Sequence, residues 1–441
     1  MQQDKRSVKK ETNTRDIALS VLMDIETNGT FSNVALAKAL KKNQFSDKTD
    51  RAFISRLVEG SVERRITIDY IINQFSKTKV NKCKPLIRCI LRLGTYQIMY
   101  MDKVPDSAAC NESVKLAGKH GFGTLSGYVN AVLRSIAAGK DTIVYPDETK
   151  KAAYYSIMYS IPEWLCQKLI ADYPDKYEAI IKGCFEDRKT TIRVNEIKIS
   201  VDELAEGLSQ KGIAVEKGRY SRKALLIDGY DFIRRIPGYK EGYFSVQDES
   251  SMCAVEAAGI KPGDIVIDVC AAPGGKTTLA AEYLNGCGKV YSMDISADKL
   301  ELIEDNVSRL GLDDVVEISA HDATIVIPEL EGKADVVLCD VPCSGLGIIG
   351  RKNDIKYRLV ESQLEELTEL QMKIAHTAVG YLKKGGTLLY STCTINPREN
   401  RENVELLLET HPKLKLCSDR LFLQGVDSCD GFYYAVMKYE A

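Results

Sequence analysis

The sequence predicts a multidomain chain: an all-α N-terminal domain, a small α+β middle region and an α/β, Rossmann-like C-terminal domain. Three observations carry this. From Thr14 to about Gly139 apolar residues recur at helical spacing with no strand-like alternation. Across Ile143–Glu163, which holds Pro146 and Ile161-Pro162, that character ends in a hinge. From Ile265 onward short apolar strands alternate with helical stretches, the pattern of a parallel, doubly wound sheet. The 441 residues exceed one ordinary core and suit domains over 1–142, 143–245 and 246–441.

In the first domain, Ile17, Val21, Leu22 and Ile25 form one apolar stripe and Phe53, Ile54, Leu57 and Val58 another. Asn28-Gly29, Val104-Pro105 and Gly121-Phe122-Gly123 divide the run into short helices, and Pro85 stands where a helix can begin. Residues 1–150 hold 25 Lys and Arg against 16 Asp and Glu, an excess of nine; with a net charge of −2, the remainder carries −11. A basic front end suits a phosphate-bearing partner, although charge alone fits a solvated helical surface equally well. Lys77, Lys79, Lys82, Lys84, Arg88 and Arg92 make the best candidate for an RNA-facing surface.

No run of about 18 apolar residues is present, Met1–Thr14 is polar, and the 13 cysteines are odd in number without C-x-x-C spacing. A cytoplasmic, monomeric protein with reduced thiols is expected, without membrane span, disulfide framework or metal.

In the middle region, Thr190–Val194 and Ala224–Ile227 favour strands and Val201–Gln210 a helix. Further on, Ile265–Ile267, Val290–Met293, Val336–Leu338 and Thr387–Tyr390 read as buried strands. The run Asp268-Val269-Cys270-Ala271-Ala272-Pro273-Gly274-Gly275-Lys276-Thr277-Thr278 follows the first and opens a helix, where ligands of open α/β sheets bind. A phosphate-binding loop needs glycine five positions before its Gly-Lys pair, and Cys270 stands there instead. Asp294, at the next strand end, is placed to accept hydrogen bonds from ribose hydroxyls, and Asp322 lies where a carboxylate meets an adenine amino group. Asp340-Val341-Pro342-Cys343-Ser344-Gly345 and Ser391-Thr392-Cys393-Thr394 end two further strands, so two thiols and an aspartate reach the same sheet edge. Cytosine carbon 5 becomes nucleophilic when a thiolate adds at carbon 6 and a group near N3 stabilises the developing charge. Cysteine and aspartate supply those roles. Burial as inert apolar thiols suits most other cysteines, including Cys339.

Asp268–Thr278, Asp340–Gly347, Ser391–Asn400 and Asp430–Phe432 resemble the motifs of RNA cytosine-5 methyltransferases. Leu91–Tyr96, Asn111–Val114 and Tyr128–Arg134 resemble the helical RNA-binding fold of transcription antitermination factor B, and Gly242–Ser250 resembles the family's segment just before the sheet. The resemblance implies S-adenosylmethionine as cofactor and 16S ribosomal RNA as substrate. It implies that Cys393 attacks the base, that Cys343 assists breakdown of the covalent intermediate, and that Asp340 contacts N3. It places Cys270, Ala271, Ala272, Pro273, Gly274, Gly275, Lys276, Asp294, Asp322 and Asp340 around the cofactor. Lys299 stands where the family pattern has arginine, and Val341 where alanine is commoner. Two other classes stay open at this level: an RNA-binding protein that uses the sheet as a cofactor sensor, and a methyltransferase acting on another atom or on protein.

Overall fold

The computed structural model describes residues 13–43 and 47–440. Two units divide the chain, one of residues 1–171 with 351–358, the other of 172–350 with 359–441.

The first unit is helical: α1 (Thr14–Asn28), α2 (Ser32–Lys42), α3 (Lys48–Glu63), α4 (Arg65–Phe75), α5 (Pro85–Tyr100), α6 (Asp106–Lys119), α7 (Ser126–Ala138), α8 (Lys151–Tyr159) and α9 (Glu163–Asp172), which ends at the unit boundary. The Asn13 side chain caps α1 by accepting from Asp16 N–H, and Pro85 occupies the first turn of α5, where its missing N–H costs nothing. Of the predicted stripes, Val21, Leu22, Ile54, Leu57 and Val58 are buried and Ile17, Ile25 and Phe53 partly so; Leu19, Ile90, Leu91 and Leu133 complete the core. The segment expected to be a hinge carries a helix, α8, of nine residues.

The proposed RNA-facing set splits in two. Lys77, Lys79, Lys82 and Lys84 are exposed. Arg88 and Arg92 turn inward instead: Arg92 donates to both Asp69 oxygens at 2.7 Å and to Glu26 at 3.0 Å, and Arg88 pairs with Glu26. Partly buried guanidinium groups are held where carboxylates offset their lost hydration, so these two arginines serve the helix packing and not an outer surface.

The second unit begins with α10 (Tyr177–Gly183) and a four-stranded antiparallel sheet of β1 (Thr190–Val194), β2 (Ala214–Lys217), β3 (Ala224–Asp228) and β4 (Phe244–Val246), in the order β2-β3-β1-β4. Helix α11 (Val201–Ser209) starts on a capping box between Ser200 and Glu203 and packs Leu204 and Leu208 against Ile192, Leu225 and Ile227.

Helix α12 (Glu249–Ala258) leads into the large sheet. Its strands and helices are β5 (Ile265–Asp268), α13 (Gly275–Leu284), β6 (Lys289–Asp294), α14 (Ala297–Leu310), β7 (Val316–Ala320), β8 (Ala334–Asp340), α15 (Ile355–Arg358, in the first unit), α16 (Gln363–Gly380), β9 (Leu382–Thr392), α17 (Arg401–Thr410), β10 (Leu414–Phe422) and β11 (Phe432–Tyr439). The order is β10-β11-β9-β8-β5-β6-β7. Five neighbouring strands, β9-β8-β5-β6-β7, run parallel, as expected, but β11 lies antiparallel between β9 and β10. The cause is the connection: no helix intervenes between Phe422 and Phe432, and a parallel return needs a crossover of roughly a dozen residues or more. This reversal brings the start of β11, and Asp430-Gly431 before it, beside the end of β9.

Candidate active site

Because the five parallel strands point the same way, their last residues gather at one edge: Asp268 from β5, Asp294 from β6, Asp340 from β8 and Thr392 from β9. Strands β8 and β9 pair with Asp340 opposite Ser391, so the residues that follow leave the sheet side by side. Cys343 Sγ lies 3.2 Å from Cys393 Sγ, and both residues are half-buried. Its hydrogen bond with the Cys393 sulfur, and then burial, pushes the Cys343 thiol well above the ordinary range.

Asp340 sits between this pair and the glycine-rich turn. Ser391 Oγ donates to Asp340 Oδ1 at 2.7 Å, and Lys276 Nζ donates to Oδ2 at 2.6 Å. The Lys276 ammonium also lies 5.0 Å from the centroid of the Phe432 ring, a cation–π contact contributed by β11. Lys276, predicted on the cofactor side, thus joins the two halves of the site.

Two loops close against the Cys393 backbone. Gly347 N donates to Cys393 O at 3.1 Å, and Gly431 N donates to Gly347 O at 2.8 Å. A Cβ on Gly347 would fall 1.9 Å from Gly431 O, so the backbones approach as only glycine allows.

In the glycine-rich turn, Gly274 has φ 95°, a left-handed conformation that lets the turn enter α13. Asp294, 6% exposed, accepts from Ala272 N and Ser296 N, each at 3.2 Å, with Lys299 Nζ 3.6 Å away. Asp268 is fully buried; Thr277 Oγ1 donates to its Oδ2 at 2.7 Å, its Oδ1 has no partner, and burial pushes its pKa up to about 7. Asp322 accepts from Thr324 N at 2.9 Å and Thr324 Oγ1 at 2.7 Å, which lowers its pKa. Burial pushes the Cys270 thiol far up, which keeps it protonated.

Two residues that sequence reasoning did not single out complete the framework. Glu399, fully buried, accepts from Ser344 N, Ser344 Oγ, Gln371 Nε2 and Asn396 Nδ2. Arg193 on β1, also fully buried, donates to Gly275 O at 2.8 Å, Thr278 Oγ1 at 3.0 Å and Glu282 Oε1 at 2.7 Å, and so ties the small sheet to the helix behind the glycine turn. The signal for the second was a charge inside an apolar strand; the first was an acid inside a motif otherwise assigned. Among the described residues, no group of three or more His, Cys, Asp or Glu is arranged to hold a metal, and no helix is long and apolar enough to cross a membrane.

The chain matches the family model described as 16S rRNA methyltransferase RsmB/F over residues 257–438, the NusB family over 12–138, and an RsmF/B-like ferredoxin-like domain over 161–231. It is 37% identical to the probable ribosomal RNA small subunit methyltransferase B of Bacillus subtilis, covering 91% of this chain and 90% of that one. To the Synechocystis protein of the same description it is 34% identical, over 90% and 89% of the two chains. The crystal structure of PH0851 matches with a TM-score of 0.83 at 25% identity, covering 97% of this chain and 99% of that one. With a helical domain, a ferredoxin-like domain and a mostly parallel sheet each matched in order, the chain belongs to the 16S rRNA methyltransferase RsmB/F family and is a ribosomal RNA methyltransferase.

Proposed function

We propose that this methyltransferase transfers a methyl group from S-adenosylmethionine to carbon 5 of a cytosine in 16S ribosomal RNA, through a covalent adduct between Cys393 and carbon 6. The observation that carries the reading is the pair of sulfurs 3.2 Å apart beside Asp340.

The residues present fit the cofactor. When bound, S-adenosylmethionine supplies an electrophilic methyl group on a sulfonium. The strand ends around the glycine turn are acidic, with Asp268, Asp294 and Asp340, and Lys276, the lysine a phosphate would need, is committed to Asp340. A cationic, hydroxyl-bearing ligand suits that donor set; a polyphosphate does not. Gly274, Gly275 and the backbone from Cys270 to Pro273 would line it, with Asp294 accepting from hydroxyls and Asp322 from an amino group.

The protein's own part follows from the geometry. The target base is turned out of its stack. Cys393 adds as thiolate, forming the S–C6 bond, while the Lys276–Asp340 pair presents a proton toward N3 as charge develops there. Carbon 5 then takes the methyl group. Once Cys393 is in a C–S bond, the largest cause holding the proton on Cys343 is gone. Cys343 can then release that proton to solvent and, as thiolate, take the carbon 5 proton; breaking the S–C6 bond returns the thiolate of Cys393, and the N3 proton returns to the Lys276–Asp340 pair. The exposed Lys77, Lys79, Lys82 and Lys84 would meet RNA phosphates.

The test is transfer of labelled methyl from S-adenosylmethionine to 16S rRNA, followed by nucleoside analysis. The expected product is 5-methylcytidine, absent with Cys393→Ala; label on another nucleoside, or full activity of the variant, would refute the reading.

A further inference from the structure

We propose that Glu399 is the positioning residue that holds the Cys343 thiol against Cys393, acting through Ser344; the inference rests on the covalent-adduct reading. The two cysteines are not held alike. Cys393 directly follows Thr392, which pairs with Tyr433 in the sheet ladder and whose hydroxyl donates to Asn400 Oδ1. The backbone around Cys393 is therefore set by β9 and β11. Cys343 lies beyond the ladder: the last N–H of its strand to bond β9 is that of Val341, two residues earlier, and Gln371 Nε2, itself bonded to Glu399, donates to Pro342 O at 2.9 Å.

The other side of the Cys343 turn is fixed by the residue that follows. Ser344 gives both its N–H, at 2.8 Å, and its hydroxyl to the Glu399 carboxylate, one to each oxygen. Glu399 Oε2 also accepts from Gln371 Nε2 at 2.8 Å, and Oε1 from Asn396 Nδ2 at 2.9 Å. All four donors are uncharged, so the carboxylate is stabilised by aimed dipoles alone. Proton directions are fixed along the chain: Asn396 N donates to Thr394 Oγ1, Thr394 Oγ1 then donates to Ser344 Oγ at 2.7 Å, and Ser344 Oγ donates to Glu399. The Oε2 end, facing the Ser344 N–H and Gln371 Nε2, admits only an acceptor, and the carboxylate satisfies both ends with no change in its neighbours. An amide must therefore turn its NH2 to the Oε1 end, where the Ser344 hydroxyl and the Asn396 amide have to reverse to accept it, and the bonds that hold the Cys343 turn are remade while Cys393 keeps its ladder.

The consequence is an asymmetry between the two halves of the reaction. Formation of the Cys393 adduct should survive loss of the Glu399 charge, while its breakdown, which uses Cys343, should not. The test uses the full chain with S-adenosylmethionine and transcribed 16S rRNA, comparing wild type with Glu399→Gln. Methyl turnover, protein–RNA adduct on denaturing gels and cofactor Kd are measured. Turnover should fall at least tenfold, adduct should rise at least fivefold as in Cys343→Ala, and the Kd should stay within twofold. Wild-type turnover, or turnover and adduct falling together, would overturn the assignment, the latter because general loss of support would remove both. Should Glu399→Gln lose its melting transition, Ser344→Ala decides: turnover lower by threefold or more with adduct retained supports the role, and unchanged turnover overturns it. Failure of the underlying reading shows separately, as full methylation by Cys393→Ala.

Discussion

Along the sulfur half of the sheet edge, from Asp340 to Glu399, each carboxylate already has its donors at 2.5–2.9 Å, and every one comes from the protein. Along the cofactor half, Asp268 keeps one buried oxygen without a partner, and Asp294 meets its two backbone N–H groups only at 3.2 Å. Both halves use aspartates at the ends of parallel strands. The difference is that both oxygens of Asp340 and Glu399 take close donors from the chain, whereas Asp268 and Asp294 are met less fully and only Asp322 takes two close donors, from Thr324; on the proposed function, that second half takes the cofactor. Substitutions in the first should therefore change the chemical step, and substitutions in the second should change cofactor affinity.

The largest departure expected is at Asp340, the carboxylate on the border. Asp340→Asn removes the charge that holds Lys276 and should lower turnover by about 10²- to 10⁴-fold, the usual range for a positioned acid–base group, with cofactor Kd changing far less. A loss confined to cofactor affinity would move Asp340 into the other half. Asp294→Ala should do the reverse, weakening S-adenosylmethionine binding by about 10- to 100-fold, as expected for hydrogen bonds to a charged acceptor, while turnover at saturating cofactor stays within a few-fold. Calorimetric Kd values beside saturating turnover separate the two.

The smallest effect concerns stability. The Asp268 pKa is raised by burial to about 7, against an ordinary value of about 4, so the native state holds a proton that the unfolded chain releases. Its contribution is fully present below about pH 4 and is lost as pH rises to about 7, by at most about 1.4 kcal/mol per pH unit. Asp268→Asn does not titrate and can keep the Thr277 hydroxyl bond. The melting temperature of wild type relative to this variant should fall between pH 5 and 7.5; a constant difference would show that Asp268 ionises normally.

How far the molecule was legible in its sequence follows from how local each feature is. The ends of β5, β6, β8 and β9 were visible because an apolar run and the polar residue that ends it are neighbours in the chain. Partners far apart were not. Glu399 meets Ser344 across 55 residues and Arg193 meets Glu282 across 89, and nothing near either residue announces the other. The same blindness misplaced Arg88 and Arg92, whose charge is plain but whose Glu26 partner lies on another helix. The antiparallel β11 escaped because strand direction is decided by the connection, which carries no apolar pattern of its own.

Covalent capture of 16S rRNA by two single-cysteine variants tests the account most directly. In the presence of S-adenosylmethionine, Cys343→Ala should accumulate a denaturation-resistant protein–RNA adduct, and Cys393→Ala should form none and transfer no methyl group. Equal, adduct-free loss of activity in both variants would contradict the separate roles assigned to the two sulfurs.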